Sequence, residues 1–176
     1  MDNEKSVNIL MERLLKFGHQ KIALLNVHKS FNYGHQRKLA YEEFHKKNNM
    51  QLNPNYYQES LQQMTSVGSK LTKKILNLKD PPTAIICSQD KYFIGCLQEC
   101  QKRGLEVPKD ISLVGYNDHD NYLSSQNLTF ISHPLSEMGK MAVEILEKIE
   151  NGVAPKKLSK LIEPILNKGK SDKKIN

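Results

Sequence analysis

The chain has 176 residues, 38% hydrophobic and 26% charged, with a formal net charge of +7. That length allows one domain, or two small lobes, around a real core, and no apolar run approaches the ~18 residues that would span a bilayer. Much of the positive excess sits in "KKLSK" and the tail "NKGKSDKKIN"; with no aromatic residue to stack on bases, this reads as a solvated tail and not a nucleic-acid clamp.

The first element is a helix, since Val7, Leu10, Met11, Leu14 and Leu15 share one helical face and Gly18 stands where it should stop. "KIALLN" follows as a buried strand, then a polar loop and the helical stretch "HQRKLAYEEFHKKNN", carrying Leu39, Tyr41 and Phe44. "NPNYY" opens a turn and a weaker strand. Val67, Leu71, Ile75 and Leu78 mark a helix closed by "DPP", whose prolines cannot continue it. "TAIICS" is the next strand. Phe93, Ile94 and Leu97 begin a helix that ends at Gly104, and "ISLVG" and "LTFIS" are two further strands. Past Pro134 a last helix carries Leu135, Met138, Ala142, Ile145, Leu146 and Ile149. "KLIEPIL" is expected to return as an edge strand, because Pro164 would break a central ladder.

Short apolar runs alternating with helices predict an α/β fold, a parallel sheet with helices on both faces. Ligands of such sheets collect beyond the carboxyl ends of the strands. The sequence nominates "NVHKSFNYGHQR", "SQD", "YNDHD" and "SHP" for that edge, all polar.

The chemistry these loops offer is capture rather than catalysis. There is no phosphate-binding glycine loop and no "GxSxG" elbow. His28, His35 and His133 have no carboxylate assigned to orient them, so no enzyme is expected. Asp118, His119 and Asp120 are adjacent, whereas metal ligands must converge, and no metal or other cofactor is expected. Cys96 and Cys100 read as small, semi-buried helix residues, and three cysteines suit a reducing compartment. Arg37 offers a planar fork of donors, while Gln89 and Asn117 each supply donor and acceptor, a set suited to a hydroxyl-rich solute. Asp90 reads as a cap for the helix after it, and Asp118 or Asp120 as the cap of a turn before "NYLSS".

Several stretches together resemble the effector-binding core of the lactose-repressor/galactose-repressor family of bacterial transcription regulators. They are "DNEKSVNILMERLLKFGHQKIALLN", "RKLAYEEF", "PPTAIICSQDKYFIGCLQECQKRGLEVPKDISLVGYNDHD" and "LTFISHPLSEMGKMAVEIL", in family order and spacing. The resemblance implies a periplasmic-binding-protein-like fold, with two α/β lobes and a small effector, a sugar or sugar phosphate, in the cleft. It places Arg37, Gln89, Asn117 and His133 at effector-contact or crossover positions, with Asp90 and Asp118 in supporting roles. Gln89 replaces the family's usual asparagine and Asn117 its usual aspartate, and the loop "LQQMTSVG" lacks the ring often found there.

Mapped onto that family, 1–18 is a helix of a partial N-terminal lobe, and 19–128 is a complete C-terminal effector-binding lobe. Residues 129–166 form the crossover, an N-terminal-lobe helix and a returning strand, and 167–176 is a basic, flexible tail. DNA contact would need a headpiece that these segments do not include. The first helix and the helix around Ile145 would lack their usual cover, which predicts self-association or mobility of these two helices, with the helix bearing "CLQECQKRG" as a second route to a homodimer. The absence of a basic-then-apolar leader in "MDNEKSVNIL" fits a cytoplasmic regulator and no membrane partner. A stand-alone solute-binding module of the same fold is the alternative, and export would mark it.

Overall fold

The computed structural model describes residues 2–116, 122–155, 158 and 160–175. Its centre is one six-stranded sheet in the order β2-β1-β3-β4-β5-β6. β1 (Ile22–Val27), β2 (Tyr57–Ser60), β3 (Ala84–Cys87), β4 (Ser112–Tyr116) and β5 (Phe130–Ser132) are parallel neighbours, and β6 (Ile165–Asn167) closes the edge antiparallel to β5. The α/β expectation holds, as does the expected edge strand after Pro164.

Every residue of β1, β3 and β4 is buried, as a sheet covered on both faces requires. The two-residue period of a strand sorts their side chains. Ile22, Leu24, Ala84, Ile86 and Val114 face one helix layer, α1 (Asn3–Lys16) and α2 (Asn32–Lys47). Ala23, Leu25, Ile85, Cys87 and Leu113 face the other, α3 (Thr65–Leu76) and α4 (Asp90–Lys102). α3 and α4 touch through glycine: a Cβ on Gly95 would stand 2.1 Å from the Thr65 carbonyl oxygen. Cys96 and Cys100 are fully buried in this layer, deeper than the sequence suggested.

Two assignments need correction. The helix in 1–18 does not lie apart from the sheet. Val7, Leu10, Met11 and Leu14 are each 0% exposed and pack against Ile22, Leu24, Ile86 and Val114. The chain reverses at Gly18, at φ +88°, so α1 folds back onto the sheet it feeds. Each such side chain contributes about 1.5–3 kcal/mol by burial, and α1 has no bare apolar face.

Nor do the described residues of the 167–176 segment behave as a flexible tail. They run as a strap along the sheet edge where the parallel strands begin. Ser171 accepts the Leu113 N–H at its carbonyl (2.8 Å), its hydroxyl donates to the Leu113 carbonyl (2.6 Å), and that hydroxyl oxygen accepts the Thr129 N–H (2.9 Å). Buried Asp172 takes Arg13 Nε at 2.5 Å and the Thr129 hydroxyl at 2.5 Å. Lysine density signalled solvent, but the small and acidic residues between the lysines are the ones that dock.

The helix around Ile145, α6 (Leu135–Glu150), behaves as expected of an uncovered element. It has no buried residue and exposes Leu135, Val143 and Leu146. The excursion that carries it leaves after β5 and not at 129, since Phe130 and Ile131 are paired with β4.

Candidate functional site

The strand order reverses between β1 and β3: the chain leaves β1 for β2 on one side, then crosses to β3 on the other. Loops part at such a switch point and open a crevice at the carboxyl ends. Three polar residues lie one step past the Leu25↔Cys87 and Cys87↔Gly115 pairs of that edge, Asn26, Ser88 and Tyr116. By strand alternation they share the α1/α2 face, and all are buried.

Arg37 lies over this row. It sits in the second turn of α2, which begins at Asn32, earlier than the sequence indicated. Its Nη1 donates to the Ser88 carbonyl at 2.9 Å and its Nε to Asn3 Oδ1 at 3.1 Å. Its guanidinium carbon lies 4.3 Å from the Tyr116 ring centroid and 5.4 Å from that of Tyr33. The guanidinium therefore lies over two aromatic rings, within cation–π range of both. Burial lowers its pKa, opposed by attraction from Tyr116 and Tyr33. Of the fork of donors nominated for a ligand, Nε and Nη1 serve the protein itself.

Gln89 follows Ser88, is half-buried, and holds the N-cap position of α4 with no side-chain cap bond. Asp90, expected as that cap, is instead the first helical residue. It still serves the helix end, since its Oδ1 accepts the Lys91 N–H at 2.7 Å. His133 follows β5, whose carboxyl end lies on the same edge as those of β1, β3 and β4, one strand beyond β4. Asn117 and Asp118, like His119 and Asp120, lie outside the described residues. Arg37 is thus brought against Ser88 and Tyr116, the residues that immediately precede Gln89 and Asn117.

The nominated stretches begin at Asn26, Ser88 and Tyr116 without singling these residues out, and sequence reasoning missed Tyr57 and Glu59 beneath them. Asn26 Nδ2 donates to the Gly34 carbonyl at 2.8 Å and to the Tyr57 hydroxyl at 3.2 Å, and Tyr57 donates to Glu59 at 2.7 Å. Burial, then the bond to Glu59, pushes the Tyr57 pKa well up, so it stays a neutral donor. Asn26 Oδ1 and the Tyr116 hydroxyl are buried without a hydrogen-bond partner among the described residues. A buried polar atom left so costs about 1–3 kcal/mol. The available signal was Asn26 itself, an amide inside "IALLNV".

Elsewhere, a groove of 790 Å³ runs along α1 and α2, lined by Glu4, Asn8, Glu12, Phe44 and Lys47 among others, and includes none of the nominated ligand residues. Among the described residues no three His, Cys, Asp or Glu side chains gather to hold a metal. No helix there is long and apolar enough to cross a membrane.

A sheet of this order, with its polar row at the switch point, can be set beside known proteins. A family model described as a periplasmic binding protein-like domain matches residues 11–171. The chain belongs to this family. Over 142 residues it is 32% identical to the ribose operon repressor of Haemophilus influenzae, covering 78% of this chain and 42% of the repressor. It is 29% identical over 142 residues to the HTH-type transcriptional repressor CytR of Escherichia coli, covering 80% and 40%. A LacI-family regulatory protein from Chloroflexus aggregans superposes with a TM-score of 0.89 at 25% identity, over 97% of this chain and 62% of that one. These findings uphold the family resemblance read from the sequence. The chain spans about two-fifths of the length of these curated relatives. In the periplasmic binding protein-like family, its matched part runs from Met11, within α1, through the sheet to Ser171 of the strap.

Proposed function

We propose that this chain is the effector-sensing portion of a LacI/GalR-type transcriptional repressor, cytoplasmic and dimeric, that holds a small sugar-like ligand at the carboxyl ends of β1, β3 and β4. The observation that carries the reading is the Asn26–Ser88–Tyr116 row beneath the stacked Arg37, at the switch point of the sheet. Arg37, Gln89, Asn117 and His133 are the ligand-contact residues, supported by Asp90 and Asp118. The similarity to named repressors supports the regulatory role.

The mechanism is differential binding. A ligand touching this edge and the segment that carries α6 stabilises one arrangement of the two, and that choice resets DNA-binding parts carried elsewhere. The exposed apolar side chains of α6 support association with a covering lobe or second copy.

A thermal-shift screen of the full chain against sugars, sugar phosphates and purines tests the reading. A ligand at a hundredfold over its Kd adds ~2.7 kcal/mol. For a chain of 176 residues that raises the melting point by roughly 7 °C. Gln89→Ala and Asn117→Ala should each reduce the rise. A rise that both variants leave intact puts the ligand elsewhere, and no rise with any class refutes the sensor.

A further inference from the structure

We propose that the amino edge of the sheet, where the strap of 168–175 lies, is a binding surface for the phosphate backbone of duplex DNA, engaged without regard to base sequence. The inference does not depend on the ligand of the opposite edge.

The backbone of the strap is pinned along its length. Gly169 N–H donates to the Thr129 hydroxyl (2.9 Å), Lys170 N–H to the Asn127 carbonyl (2.7 Å), Lys173 N–H to the Ser112 hydroxyl (3.0 Å) and Ile175 N–H to the Phe17 carbonyl (2.8 Å). The strap thus passes from the start of β5, beneath β4, to the turn before β1. Lys168, Lys170, Lys173 and Lys174 are all exposed on it, and none forms an ion pair among the described residues.

The helices bring more charge to the same edge. Each helix that feeds a parallel strand ends where that strand begins, so α1, α2, α3 and α4 finish at the amino edge beside β1, β2, β3 and β4. Their last turns carry Lys16, Lys46, Lys47, Lys73, Lys74 and Lys102, again without an ion pair among the described residues. The acids Asp172, Asp80, Glu99 and Glu106 of this edge are already engaged, by Arg13, Lys21, Arg103 and Lys109. Lysine at a helix C-terminus answers the helix dipole. The strap lysines belong to no helix, so that account does not reach them.

A row of ammonium groups on a docked backbone loses less ordering entropy on binding than a loose tail would, and lysine meets phosphate as a point charge. An acidic protein fits this row less well. Protein interfaces centre on buried aromatic and aliphatic anchors and are poor in lysine, whereas beside its lysines the strap exposes only Ile175. A single strand fits no better, because the strap has no aromatic side chain on which a base could stack. A duplex backbone requires neither.

Fluorescence anisotropy of the 176-residue chain with a short labelled duplex of random sequence is the test. The duplex should bind at about 50 mM salt and lose roughly a hundredfold in affinity by about 200 mM, the dependence expected when about four phosphates are neutralised. Changing Lys168, Lys170, Lys173 and Lys174 together to glutamine should weaken binding at least about tenfold at the lower salt and flatten that dependence. Glutamine at Lys29, Lys91, Lys140 and Lys148, which removes the same charge elsewhere, should cost less than about threefold. If a melt shows that the strap variant does not fold, glutamine at Lys46, Lys47, Lys73 and Lys74 takes its place with the same expected loss. No binding at the lower salt, or equal losses from edge and control variants, overturns the proposal. Polyglutamate of matched charge binding as tightly as the duplex overturns DNA in favour of an acidic polypeptide. Tighter binding of the matching single strand overturns the duplex.

Discussion

Replacing Asp172 by alanine should be among the most damaging single changes in the chain. The carboxylate has a side-chain exposure of 0% and meets Arg13, whose side chain is 17% exposed, through Nε at 2.5 Å and Nη2 at 3.2 Å. It also accepts the Thr129 hydroxyl at 2.5 Å. Removing one partner of such a buried pair leaves the other uncompensated and costs about 3–5 kcal/mol. A chain of 176 residues loses roughly 0.4 kcal/mol per degree near its midpoint, so the melting temperature should fall by roughly 8–14 °C. Urea denaturation and a thermal melt read the loss. Hydrogen exchange locates it, because the Leu113 and Thr129 amides, bonded to Ser171, should lose protection before the centre of β3 does. Combining the variant with Arg13→Ala should give less than the sum of the two single losses. A melting point within about 1 °C of wild type, or additive losses, would refute the strap as a structural element.

Gly95→Ala should destabilise by at least about 1–3 kcal/mol, read by urea denaturation, because the new Cβ meets backbone at 2.1 Å and 2.6 Å and backbone cannot yield cheaply. Acid should weaken the fold through His19 and His45, both held below the ordinary histidine pKa mainly by burial. As pH falls below ~6.5 the unfolded chain takes up those protons first, so their contribution is complete above that value and is lost as pH drops through the folded pKa values. His19→Gln should flatten the stability profile between pH 7 and 5, and an unchanged slope would contradict this. Val143→Lys together with Leu146→Lys on α6 should leave the melting point within about 1–2 °C while reducing self-association in sedimentation; a large melting loss would show that the face is already packed.

The strands were legible because burial on both faces writes them as unbroken apolar runs: "KIALLN", "TAIICS" and "ISLVG" fall within a residue or two of β1, β3 and β4. The edge was legible too, since parallel strands place their polar exits on one side. The partner of each element was less so. The face of α1 that reads as needing a sheet has one, because a short reversal at Gly18 and a strand beyond it look the same whichever lobe they serve. The strap was hidden because its hold comes from Ser171 and Asp172 meeting groups far away in the chain. Tyr116 stood only as the first residue of the exit loop "YNDHD", and only the register across three strands makes it the floor beneath Arg37.

Ser132 and Ile165 face each other in the β5–β6 pair, and Asn167 Nδ2 donates to the Ser132 hydroxyl at 2.7 Å. The segment between them, α6 included, departs and comes home at this doorway, and also holds the start of α1 through the Asp2 N–H to the Ile162 carbonyl (3.4 Å) and the Lys5–Glu163 ion pair. Force applied along α6 therefore arrives at that corner and at the first turn of α1, much as a gate hangs on two hinges.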